Sequence, residues 1–138
     1  QFVRYLDEQT ADQRPVLVAR VEGEFAGYVT VIWEPRYAPF REAQIPEIQD
    51  FNVLPRFRRR GIGSALMDAA EALIATRSKI AGLGVGLYPD YGPAQRLYVL
   101  RGYVPDGRGI ATEQVHVQPG QVVRVDDELA LYLTRVVG

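Results

Sequence analysis

The feature that most constrains this sequence is a change of hydrophobic period across a short basic segment. "EIQDFNV", residues 47–53, alternates as a β-strand does, and Leu54-Pro55 marks its end. From Gly61 to about Arg77 the period lengthens. Ile62, Leu66, Ala69 and Leu73 recur at helical spacing, with Ser64, Asp68 and Glu71 on the opposite side. Between the two lies "RFRRRGIG", which places four arginines within residues 56–60. A strand therefore hands over to a helix through a loop that is strongly positive and ends in glycines.

That arrangement suits an anion. The first N–H groups of a helix have no partner within it, and the helix dipole favours negative charge there. Gly61 and Gly63 let a ligand approach those groups closely. Arg58, Arg59 and Arg60 add mobile charge and bidentate donors. A diphosphate or a phosphorylated cofactor matches this chemistry. Two named alternatives fail. A mononucleotide-binding loop needs Gly-Lys-Ser/Thr, and Gly63-Ser64 lacks the lysine; the dinucleotide fingerprint needs a third glycine where Leu66 stands.

Composition narrows the field. The 138 residues suffice for one domain with a core, spanning residues 1–138. A formal net charge of −1 makes the arginine cluster a local feature and argues against a general nucleic-acid binder. There is no cysteine and a single histidine, His116, so a Cys-based zinc site, a Cys nucleophile and a His-rich metal site are excluded. No metal is expected. No apolar run approaches a membrane span, no signal peptide is apparent, and a cytoplasmic location is the default.

Along the chain, residues 1–14 read as the tail of a helix. "PVLVARVEGEFAGYVTVIW" forms two strand-like runs around Glu22-Gly23-Glu24, a hairpin signal. "EPRYAPFREAQIP" reads as a loop because of its prolines. In the strand "IAGLGVGLY", Leu83 and Val85 point one way and Gly82, Gly84 and Gly86 the other; a glycine face invites close approach by a backbone or a ligand. Pro93 starts a short helix that Gly102 ends, with Ala94, Leu97 and Tyr98 on one face. Strand-like runs around Pro119-Gly120 close the chain. The order is β-β-β-α-β-α-β-β, a mixed α/β sheet.

The residues also carry a family resemblance. "RRRGIG", residues 58–63, resembles the Arg/Gln-x-x-Gly-x-Gly/Ala motif of the GNAT superfamily of acyl-CoA-dependent N-acetyltransferases, and "AQRLYVLRGY", residues 94–103, is similar to its second signature. The resemblance covers roughly residues 15–135. It implies a mostly antiparallel sheet flanked by helices and splayed between residues 47–53 and 80–87, with the N-terminal strand and helix partly absent. The pantetheine arm of acetyl-CoA would enter the splay and pair with backbone at Phe51 and Val53. Residues Arg58, Arg59, Arg60, Gly61, Ile62, Gly63 and Ser64 would wrap the pyrophosphate, and Ala94 and Tyr98 would face the cofactor. The family often has Asn where Tyr91 stands, and the connection from Val85 to Ala94 looks longer than its common form.

By the same resemblance Tyr98 is the acid that protonates the departing sulfur. Its alternative is a packing tyrosine. Glu47 and Asp50 are the candidate bases. A spacing of three puts them on opposite faces of a regular strand, so only one should face the cleft. The resemblance favours Glu47, which, counted back from Gly61, matches the place where some family members carry a catalytic glutamate. A water relay is the alternative to both. Trp33, Tyr37 and Phe40 line an acceptor pocket or belong to the core, and His116 reads as an exposed loop residue. The resulting expectation is direct acetyl transfer from acetyl-CoA to a small-molecule or protein amine, with neither nucleic acid nor membrane as partner and with a homodimer admitted. The alternative is a non-catalytic acyl-CoA-binding module.

Overall fold

Strand and helix boundaries follow the periodicity closely through the middle of the chain. The computed structural model describes residues 2–7, as backbone, and residues 14–138. Seven strands join one sheet: β1 (Phe2–Asp7), β2 (Pro15–Val21), β3 (Glu24–Ile32), β4 (Glu47–Val53), β5 (Ile80–Gly86), β6 (Val104–Ala111) and β7 (Ala130–Val136). Three α-helices accompany them: α1 (Ala38–Glu42), α2 (Ile62–Ala75) and α3 (Gly92–Leu100). The spatial order is β1-β2-β3-β4-β5-β7-β6. Every neighbouring pair is antiparallel except β4 with β5. The mixed, mostly antiparallel sheet with flanking helices agrees with the fold expected from sequence.

Four expectations need correction. Residues 2–7, read as the tail of a helix, form edge strand β1, paired with β2 from Phe2↔Arg20 to Asp7↔Pro15; residues 8–13 lie outside the described residues. The proline-rich loop contains α1, with proline in its first turn, where a missing N–H is harmless. The strand before β7 is Val104–Ala111 rather than a run around Pro119. Between Pro105 and Ile110 it bulges, with Gly107 and Gly109 at positive φ, and these glycines and Pro105 hide it from a propensity reading. Conversely, Val122, Val123 and Val125 look strand-like but are exposed and outside any strand.

The fourth correction concerns α2. Its buried stripe is Ile62, Leu66, Met67, Ala70 and Ile74, about one position on from the expected one, and it also contains Glu71. That carboxylate is 8% exposed. Arg101 donates to it twice, at 2.6 and 3.2 Å, Arg135 once at 2.6 Å, and the Tyr103 hydroxyl at 2.8 Å. Arg101 also reaches Asp68 at 2.6 Å. The cluster ties the middle of α2 to the end of α3 and to β7.

The glycine face of β5 is covered by rings. A Cβ at Gly82 would lie 2.4 Å from Phe40, one at Gly84 2.9 Å from Tyr132, and one at Gly86 2.3 Å from Tyr91. Phe40 sits in a second small core with Tyr37, Ala111, Ala130 and Tyr132. There Tyr37 stacks on Tyr132 at 3.6 Å between centroids.

Removing the carboxylate at the centre of this cluster takes the charge partner from Arg135 and the acceptor from Tyr103, and leaves Arg101 with Asp68 as its remaining charge partner. Glu71→Ala is therefore expected to lower unfolding stability by about 3 kcal/mol. Urea denaturation checks it; a loss within about 0.5 kcal/mol of wild type, the range of an ordinary surface change, would show the cluster to be energetically idle.

Candidate active site

Strands β4 and β5 pair only at Glu47↔Gly82 and Ile48↔Leu83. Beyond Ile48 they part, and a cavity of about 1180 Å³ opens at the gap. Its lining includes residues 47–53 of β4, Gly84 and Gly86 of β5, the start of α2, and Ala94, Leu97 and Tyr98 of α3. The Leu54 N–H bonds to the Ala26 carbonyl at 2.8 Å, so alternation turns the backbone groups of Val53 toward the open side. The Val53 carbonyl accepts a hydrogen bond from Arg58 Nε at 3.1 Å.

At the loop end, Gly61 has φ 78 and opens α2 without any side-chain cap. An L side chain rarely takes that conformation, which explains glycine here. Gly63 has a different reason, because a Cβ there would lie 3.1 Å from the Phe51 ring. Arg58, Arg59, Gly61, Ile62, Gly63 and Ser64 all border the cavity. Arg60 does not. Its guanidinium lies 5.6 Å from the Phe57 ring centroid and borders a separate hollow of about 200 Å³ beside Glu22 and Glu24.

Glu47 borders the same cavity and is 4% exposed. Gln49 Nε2 donates to its Oε2 at 3.0 Å, while Oε1 is buried without a hydrogen-bond partner. Burial pushes its carboxyl up to about 7, opposed by the Gln49 hydrogen bond and helped by the nearby charges of Glu113 and Asp50. Asp50 also borders the cavity. The expected opposition of the two acids fails because β4 is bulged: Tyr28 pairs with Asn52 but Thr30 with Gln49, and Asp50 takes φ 54. One extra residue breaks the two-residue period.

Tyr98 is 6% exposed, and burial raises its hydroxyl to about 12. Its ring lies 6.3 Å from that of Phe51. Trp33, Tyr37 and Phe40 are not part of the cavity wall; Tyr37 and Phe40 are core, and Trp33 lies under Arg77 at 4.2 Å. Tyr132 joins Phe51, Phe57, Tyr91 and Tyr98 among the aromatic residues of the lining, with Tyr37 stacked behind it. His116 is half-buried, its Nε2 3.1 Å from the Tyr37 hydroxyl, which donates to Asp106 at 2.6 Å. Tyr91 covers Gly86 and donates to Asp127 at 2.9 Å. Sequence reasoning missed Tyr132, Glu113, Asp127 and Glu128, all on β7 or the connection before it. The acidic run Asp126-Asp127-Glu128 was the one signal available.

A cleft between parted parallel strands, fed by an uncapped helix start, invites comparison with known proteins. The sequence model of the acetyltransferase (GNAT) family matches residues 1–103. The chain belongs to that family. Over 78 residues it is 37% identical to an uncharacterized N-acetyltransferase of Archaeoglobus fulgidus, covering 54% of this chain and 51% of the relative. The chain thus spans about half the length of the curated relative it matches. Among solved structures it resembles Ard1 from Thermoplasma volcanium, with TM-score 0.64 and 27% identity over 88% of this chain and 70% of that one. A GNAT acetyltransferase from Desulfovibrio desulfuricans gives 0.67 at 15% identity over 91% and 70%. A ribosomal-protein-alanine N-acetyltransferase from Brucella melitensis gives 0.63 at 22% over 89% and 68%. The last two likenesses concern fold alone. Among the described residues of this GNAT chain no group of three His, Cys, Asp or Glu could hold a metal ion, and no helix is long and apolar enough to cross a membrane.

The raised carboxyl of Glu47 has a stability consequence. Its folded value, about 7, exceeds its ordinary value of 4.5, so its contribution is fully present below pH 4.5 and is lost as pH rises through 7. Glu47→Gln keeps the shape and removes the ionisation. The variant is expected to match wild type near pH 4 and to exceed it above pH 8, by on the order of 2–3 kcal/mol. Thermal unfolding across pH checks this; parallel curves for the two proteins would place Glu47 in contact with solvent.

Proposed function

We propose that this chain is a single N-acetyltransferase domain that moves the acetyl group of acetyl-CoA directly to an amine acceptor. One observation carries the reading: a single cavity joins an uncapped, arginine-flanked helix start to a buried carboxylate with an unpartnered oxygen. Family membership supports the acetyl transfer, and the acceptor is read from the site. A cytoplasmic setting belongs to this reading.

The residues present fit coenzyme A. In this reading the N–H groups at the start of α2, with Arg58 and Arg59, hold the pyrophosphate. Ile62, Gly63 and Ser64 belong to that helix start, and Ala94 lets α3 approach. The backbone of Phe51 and Val53 lies along the open edge of β4, where an amide-bearing arm adds as a strand would. Because Arg58 occupies the Val53 carbonyl, the Val53 N–H is the group left for that pairing. Arg60 takes no part.

When bound, acetyl-CoA supplies an acetyl thioester whose C–S bond breaks as the acceptor's C–N bond forms. Glu47 accepts the proton that the amine nitrogen releases, directly or through water. A carboxylate poised near neutral pH suits that role, since an alkylammonium must lose a proton that costs ~4–5 kcal/mol to remove at pH 7. Tyr98 Oη gives a proton to the departing sulfur. Its raised hydroxyl keeps that proton at neutral pH until it is needed.

Three measurements test the reading. Gly61→Val, in a folded variant, is expected to weaken coenzyme A binding by calorimetry, because a β-branched residue resists φ 78. Tyr98→Phe is expected to lower turnover roughly 10²–10⁴-fold with coenzyme A affinity retained. The wild-type kcat/KM is expected to rise with pH, level off above about 7 as Glu47 ionises, and hold to the amine's own pKa. Glu47→Gln is expected to lose that limb and climb about tenfold per unit with the neutral amine. Coenzyme A binding without transfer to any amine would leave a binding module instead of an enzyme.

A further inference from the structure

We propose that the acceptor end of the cleft is built for a small oligoamine, a molecule with at least one ammonium besides the nitrogen that reacts. The inference rests on the acetyl-transfer reading and names its acceptor class.

Six carboxylates border the cavity: Glu47, Asp50, Asp90, Glu113, Asp127 and Glu128. Three arginines border it too, but Arg58 and Arg59 belong to the loop before α2, which leaves Arg36 to oppose the acids elsewhere. The acids come from β4, from the turn before α3, and from both ends of the connection between β6 and β7. Only Asp127 and Glu128 are adjacent in the sequence; folding brings the others to the same cavity. Asp127 is engaged by the hydroxyls of Tyr88 and Tyr91. Glu113 and Asp50 lie close enough to Glu47 to disfavour its charge.

The second observation is independent of charge count. Glu47 is 4% exposed, faces this cavity, and keeps Oε1 without a donor. Buried carboxylate oxygens are normally bonded, so Oε1 is suited to a donor brought by a ligand. An amine N–H supplies it. That amine must be neutral to react, so it brings no lasting charge to Glu113 and Asp50. A second ammonium does, and it relieves their mutual repulsion. A peptide α-amine carries one charge, sheds it to react, and brings carbonyl oxygens toward the carboxylates. The site discriminates against it.

The test compares 1,4-diaminobutane with butylamine as acceptors, by thiol release from acetyl-CoA. The diamine is expected to show kcat/KM about tenfold higher at low salt, with the preference collapsing near 0.5 M NaCl. Glu113→Gln is expected to cut the preference by about fivefold. Asp50→Asn serves as a second variant, since Asn tolerates the left-handed backbone there, and it should move the ratio in the same direction. Calorimetry of spermidine against the coenzyme A-loaded protein reads the cation site without turnover, and binding should fall in both variants. If no amine is acetylated but spermidine binds in a Glu113-dependent way, the transfer reading fails and the cation site stands. Equal use of butylamine, or preference for a singly charged peptide α-amine, together with absent spermidine binding, overturns the inference while transfer itself survives.

Discussion

Strands β4 and β5 run side by side in parallel but share only two residue pairs, Glu47 with Gly82 and Ile48 with Leu83. The rest of the site depends on that early parting. Past Ile48 the β5-facing edge of β4 has no strand to pair with, and a sheet interior acquires an exposed hydrogen-bonding edge where none would otherwise exist. The bulge at Asp50 bends β4 at the same place and turns a second acid into the gap. The loop after β4 then delivers the start of α2 to the mouth of the same opening. Fold and site share one origin: a local failure of strand pairing, flanked by a bulged ladder to β3 on one side and an unbroken one between β5 and β7 on the other.

What keeps the flanks in register is packing together with a buried ion cluster. Glu71 faces inward from α2 and receives Arg101, Tyr103 and Arg135. Arg101 and Tyr103 belong to the same stretch, residues 94–103, that carries Ala94 and Tyr98. That short helix is therefore held at its far end by charge, while its near end borders the cavity. The partners of Glu71 lie 30 to 64 residues away in sequence. A paired carboxylate of this kind fixes geometry more than it adds net stability.

Much of this was legible in the sequence where the signal is local. The bounds of β4, the glycine start of α2 and the Pro93–Gly102 helix follow from period, turn residues and caps. What escaped reading was non-local. A helical period marks a stripe but cannot know that Glu71 will meet arginines from two other elements. Period two cannot anticipate a bulge, so Asp50 was assigned the wrong face. Strand β6 is interrupted by Gly107 and Gly109 and reads as a loop, whereas the valines at 122–125 read as a strand and remain outside one. The acidic wall assembles from segments that only the tertiary fold brings together. Arg58 and Arg59 border the cavity and Arg60 a separate hollow, a difference that composition does not carry because side-chain direction in a turn does not follow from it.

The rings over β5 have a consequence for how such a cleft changes over time. Gly82, Gly84 and Gly86 leave three shallow seats, filled by Phe40, Tyr132 and Tyr91 from three different elements. The strand's backbone is thus separated from the shape of the wall it supports. A smaller or larger side chain at position 91 or 132 would deepen or fill the pocket while β5 keeps its register with β7. Acceptor preference can drift by single substitutions on surrounding elements, and the strand that anchors the cleft is spared the change. The bare strand works as a mounting rail, and evolvability resides in what is mounted on it.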